Sequence, residues 1–148
     1  MAIKIEEATK QLKPQEYQKL LRKVNLISIS LVEIKTKFEK ELIPKDSVLS
    51  VSVTDSYDMN LKSNPIYSCA TLKIIASPGK SKKSKSFLQI EAKYHIPFNT
   101  VEDIPEVFWT IYQKFTLPNQ IWPYFRELIQ NLTYRMNIPP LTLPLRIR

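Results

Sequence analysis

From Val24 to Phe98, apolar and polar residues alternate in four runs, the two-residue period of strands that bury one face. In Val24–Glu39 the apolar set is Ile27, Ile29 and Leu31, then shifts phase to Val32, Ile34 and Phe38. A phase change inside one strand predicts a bulge at Leu31-Val32, or a switch in the face being covered. In Val48–Tyr57, Leu49, Val51 and Val53 oppose Ser50, Ser52 and Thr54. Ile66–Ser77 sets Ile66, Ala70, Leu72 and Ile74 on one face. Phe87–Phe98 sets Leu88, Ile90, Ala92, Tyr94 and Ile96 against Phe87, Gln89, Glu91, Lys93 and His95. The connectors are Ile43-Pro44-Lys45-Asp46, the longer Asp58–Pro65, and a turn after Pro78-Gly79. They are too short for parallel crossovers, so a four-stranded antiparallel meander is expected.

The period changes to three and four residues on either side of these runs. Tyr17, Leu20, Leu21 and Val24 follow Pro14, which suits a first helical turn. A short N-terminal helical segment over residues 1–23 is predicted, distinct from the domain at 24–148. It either docks on the sheet or serves as an arm for a partner. Beyond the strands, Thr100 and Asp103 read as a capping box, with Pro105 in the first turn. Ile104, Val107, Phe108, Ile111, Tyr112 and Phe115 form a wide apolar face, and Leu117-Pro118-Asn119 reads as a break. A second helix from Ile121 to Met136 repeats Ile121, Phe125, Leu128, Ile129, Leu132 and Met136. After it come Pro139, Pro140 and Pro144, which lack amide donors and leave Leu141, Leu143 and Leu145 on an extended strip. The expected class is α+β, with two C-terminal helices packed beside the sheet.

Composition removes function classes. Gly79 is the only glycine, so neither a dinucleotide fingerprint nor a P-loop exists. Cys69 and His95 are the only residues of their kinds, which rules out a disulfide framework and multi-thiolate zinc. A thiol–imidazole pair is conceivable, but Cys69 reads more simply as a small buried hydrophobe. No constellation of acid, base and nucleophile is present, so the chain is read as a non-enzyme, without cofactor or metal. No apolar run is long enough to span a bilayer, and the start lacks a signal-peptide core, so a cytoplasmic protein is expected without membrane insertion.

A net charge of +8 favours anionic partners. The one dense run, Lys80-Ser81-Lys82-Lys83-Ser84-Lys85, holds no aromatic residue for base stacking and reads first as a solvated hairpin tip. Its alternative is a site for an anionic ligand.

Three stretches in the right order carry a family likeness over roughly residues 24–145. They are Phe38-Glu39, Phe87-Leu88-x-x-Glu91, and Pro118-Asn119-x-x-x-Pro123-Tyr124-x-Arg126-Glu127 followed by Pro140-Leu141-Thr142-Leu143-Pro144. Together they resemble the SecB family of export chaperones. That resemblance implies an ATP-independent holdase, usually a homotetramer built as a dimer of dimers, with sheets pairing across subunits. Unfolded clients would lie in apolar grooves, with Phe87 and Tyr124 on groove-lining positions. Trp122, Phe125 and Leu143 are added as neighbouring apolar candidates from their position alone. The bland alternative for each aromatic is core or subunit interface.

In export members an acidic sheet surface meets a basic tail of the motor SecA. Here Lys35 stands where the family carries an aspartate, while Glu39 keeps the later acid. The acidic C-terminal extension common under that resemblance is expected to be missing, the sequence reading Arg146-Ile147-Arg148 there. Repulsion therefore disfavours coupling to SecA. Two roles remain open under the resemblance: general service to export or aggregation-prone clients, and protection of one client such as an antitoxin in a toxin–antitoxin system. The rival reading is a nucleic-acid or anionic-surface binding module on the same scaffold, which the lack of stacking aromatics argues against.

Overall fold

The computed structural model describes residues 4–43, 49–79, 85–138, 141 and 143. Helices α1 (Ile5–Gln11) and α2 (Pro14–Leu21) come first, followed by strands β1 (Val24–Leu26) and β2 (Ser30–Phe38). After a 3₁₀ turn at Lys40–Leu42 come the long strands β3 (Leu49–Asn60), β4 (Ile66–Pro78) and β5 (Leu88–Thr100). Helix α3 (Glu106–Ile111), a π turn (Tyr112–Thr116) and helix α4 (Leu117–Arg135) complete the described elements. The class is α+β with an antiparallel sheet, as the alternation predicts.

Its topology departs from a simple meander. The order is β1-β5-β4-β3, and β2 also pairs with β5. The chain's first strand therefore pairs with its last, and only β3, β4 and β5 run as consecutive hairpins. The predicted first strand is two strands, separated at residues 27–29, which raises the count among the described residues from four to five. The N-terminal segment likewise holds two helices rather than one, the second opening on Pro14.

The chain divides into two compact units. Unit 1 comprises residues 1–29, 59–68 and 96–148; unit 2 comprises residues 30–58 and 69–95.

Unit 1 is organised around aromatic side chains. Phe98 of β5 lies 5.3 Å from Trp109 and 5.4 Å from Tyr112, ring centre to ring centre. Tyr17 of α2 stacks on Phe108 at 4.9 Å, and a hydrogen bond joins the Tyr17 and Thr116 hydroxyls. The N-terminal helices are thus docked on the C-terminal ones. Burial raises the Tyr17 and Tyr112 phenols above their ordinary pKa of 10.0, although hydrogen bonds to Thr116 and Gln120 partly offset the loss of water. The expected break at Leu117-Pro118-Asn119 is absent. A proline ring at position 118 would crowd the carbonyl four residues back in a regular helix. Widening the preceding turn, so that the Leu117 N–H donates to the Tyr112 carbonyl, lets α3 run on into α4. The capping box does not form either: α3 starts at Glu106 with Pro105 before it, while Thr100 ends β5.

Unit 2 is a sheet with one apolar face. Leu72, Ile74, Ala76, Leu88, Ile90 and Ala92 are completely buried. β2 pairs antiparallel with β5, Lys35 opposite Glu91 and Phe38 opposite Leu88. The register slips between Leu31 and Glu33, leaving Val32 as the extra residue of a bulge where the phase change predicts one. Cys69 is exposed on β4, against the expectation of a buried hydrophobe, because it alternates with the buried Ser68 and Ala70.

Candidate client-binding and partner surfaces

The five candidate client contacts are distributed over both units. In unit 1, helix α4 carries Trp122, Tyr124 and Phe125. Residues three and seven apart share a helix face, so Trp122, Phe125 and Ile129 point inward. The Trp122 and Phe125 rings are 6.0 Å apart, with Trp122 7% and Phe125 0% exposed. Tyr124 lies on the outer face and is 51% exposed. The same outer face continues into a polar depression of about 300 Å³ lined by Glu127, Gln130, Asn131 and Tyr134.

Leu143 is buried beside α4, where the Arg126 Nε donates to its carbonyl at 2.6 Å. One further anchor holds the strip: the Leu141 N–H donates to the Thr133 hydroxyl at 3.0 Å. That hydroxyl in turn donates to the Ile129 carbonyl at 2.8 Å, which explains how a buried threonine is satisfied inside a helix. Pro139, Pro140, Pro144 and Leu145 lie outside the described residues.

Phe87 belongs to unit 2 and is 3% exposed. Its N–H donates to the Ala76 carbonyl at 3.0 Å, and its own carbonyl accepts the Glu39 N–H at 2.8 Å. Phe87 thus fixes the entry to β5, and Phe38-Glu39 is tied to it. Of the five candidates, Tyr124 alone offers its ring to solvent in this chain, whereas the other four are walled in by protein.

Other apolar residues, which the alternation assigns to strand faces, are open. Leu31, Val32 and Ile34 of β2 are exposed, as are Val51 and Val53 of β3. β3 ends the sheet order, so the outer backbone groups of this edge strand have no ladder partner among the described residues.

Lys35 and Glu39, the candidate partner surface, are both ion-paired. Glu33 sits 3.5 Å from Lys35 and 3.4 Å from Lys93, and these cations, Lys35 foremost, hold its carboxyl below the usual carboxylate range. Glu39 pairs with Lys85 at 3.3 Å. The rest of the lysine loop, residues 80–84, lies outside the described residues. Among the described residues no three His, Cys, Asp or Glu gather as a metal-binding group, and no helix is long and apolar enough to cross a membrane.

No family model and no curated protein matches the chain in sequence. Among solved structures, it is similar to the SecB-like chaperone Rv1957 of Mycobacterium tuberculosis, solved with a ChAD peptide from the HigA1 antitoxin. The two share 18% identity at a TM-score of 0.73, over 88% of this chain and 96% of that one. A protein of unknown function from Streptococcus agalactiae aligns over 82% of this chain and 96% of that one at 12% identity, with a TM-score of 0.41, too low to bear on the fold. The chain therefore has a SecB-like fold.

Proposed function

We propose that this protein is an ATP-independent holdase that grips non-native polypeptides through apolar surface and releases them without chemistry. The observation that carries this reading is the SecB-like fold, together with apolar side chains left open along strand edges. A holdase needs no glycine loop and no activated nucleophile. It needs accessible apolar area, because burying a client Leu or Phe is worth roughly 1.5–3 kcal/mol. Several such contacts along one extended chain reinforce one another through effective concentration.

Within this reading Tyr124 is a direct client contact. Within unit 1, Trp122, Phe125 and Leu143 are the buried residues that back this surface, while Phe87 holds the entry to β5 within unit 2. The free edge of β3, with Val51 and Val53, can accept an extended client by strand addition. The exposed apolar residues of β2, Leu31, Val32 and Ile34, suit contact between copies in a dimer of dimers in the cytoplasm. The neighbouring structure's antitoxin peptide supports a single dedicated client of that kind, and the excess of cations counts against coupling to the basic tail of SecA. The direct test is suppression of aggregation of a chemically unfolded client without ATP. Full aggregation at a molar excess of this protein refutes the holdase. The nucleic-acid alternative is separated by salt: binding to DNA collapses between low and physiological ionic strength, whereas apolar client binding barely changes.

A further inference from the structure

We propose that the polar face of unit 2 is a second recognition surface, for an extended acidic peptide segment. Strand alternation sends Lys35 and Lys37 of β2, Gln89 and Glu91 of β5 and Lys73 of β4 to the face opposite the buried Ile74, Ile90 and Ala92. These five residues and Thr36 line a depression of about 120 Å³.

Their charges are unequally satisfied. Lys35 and Lys93 share Glu33, and Lys35 also stands opposite Glu91 in the register. Lys37 and Lys73 have no ion pair among the described residues. Lys37 lies opposite Gln89, whose amide donates to the Ser86 hydroxyl at 2.9 Å and brings no charge. Three ammonium groups, those of Lys35, Lys37 and Lys73, thus line the hollow with the one carboxylate of Glu91, an excess of cation that suits an acidic side chain.

Lys35 and Lys37 are two residues apart on an extended strand, roughly 7 Å. Alternate side chains of an extended peptide repeat at the same interval, so acidic residues at every second position match them. A nucleic acid fits less well, because none of the six lining residues is aromatic and a base finds no side chain to stack on. This surface does not depend on the apolar contacts of the holdase and would serve to choose a partner rather than to grip one.

The test uses fluorescence anisotropy with the full chain and a labelled peptide carrying Glu at alternate positions between Ser and Thr. Its controls are the same peptide with Gln for Glu and a single-stranded oligonucleotide of equal charge. The acidic peptide is expected to bind at least tenfold more tightly than both. Lys37→Glu with Lys73→Glu should remove the difference while leaving ATP-free aggregation suppression at its original level. If the double reversal does not fold, Lys37→Gln with Lys73→Gln gives the same readout with less perturbation. Equal affinity for the neutral peptide, tighter binding of the oligonucleotide, or an unchanged preference in the lysine variants overturns the proposal. Loss of aggregation suppression with this preference intact would refute the holdase alone.

Discussion

Truncating Tyr124 and truncating Phe87 should have opposite consequences, and the structure gives the size of each. About half of the Tyr124 side chain is open. A tyrosine ring buries some 150–250 Å² in full, so a client covering the open half removes about 100 Å² from water. At ~25 cal/mol per Å² that is about 2.5 kcal/mol. Tyr124→Ala keeps the Cβ, so it should lose about 2 kcal/mol of client affinity, roughly thirtyfold. Stability should move by no more than ~0.5 kcal/mol, because the ring is at the surface of a helix. Phe87→Ala instead empties a site that is 3% exposed, and should cost ~3–5 kcal/mol of stability. The two are read side by side, as urea midpoints at constant m-value and as anisotropy of a labelled unfolded peptide. A Tyr124→Ala protein of unchanged affinity, or one destabilised as much as Phe87→Ala, would refute the division between client contact and buried core residue.

Other outcomes follow from single contacts. Tyr17→Ala removes the stacking on Phe108 and the bond with Thr116, and should cost about 2–3 kcal/mol in urea unfolding, with most of it restored by Tyr17→Phe. Thr133→Val leaves the Leu141 N–H without its acceptor, so exchange of that amide should accelerate about tenfold, while Thr133→Ser should keep it slow. Tyr17 and Tyr112 have phenols raised above 10.0 in the folded chain, so their neutral forms stabilise the fold fully below that pH. Stability should therefore fall as pH rises above 10 through the higher folded values, and phenolate absorbance should appear with unfolding rather than before it. Removing the exposed Lys23–Glu102 pair should change stability by less than ~1 kcal/mol.

Local features were legible because local residues decide them. The slip from Leu31 to Val32 is visible as a change of phase, and the same slip is the bulge opposite β5. Pro14 opens α2 because its fixed φ costs nothing there. Pairing of β2 with β5 was not legible, since short connectors fix sequential neighbours but say nothing about which edge a first strand chooses. That unread pairing is also why Lys37 and Gln89, fifty-two positions apart in the chain, become neighbours. Pro118 misled for a different reason: a proline signals the loss of one hydrogen bond, and the wide turn at Tyr112–Thr116 removes the need for it. For the client candidates, the helical repeat through Ile121, Phe125 and Ile129 already turned Phe125 inward and left Tyr124 about 100° away, but residue type grouped the two as groove aromatics.

Helix α4 holds Leu141 and Leu143 through the main chain of the strip, one N–H to Thr133 and one carbonyl to Arg126. Neither anchor reads a side chain of the strip, so the N–H bond survives any replacement of Leu141 except proline, and the carbonyl bond survives any replacement of Leu143. These two attachments to α4 therefore answer to Thr133 and Arg126, and substitutions there loosen them where substitutions of the leucines do not.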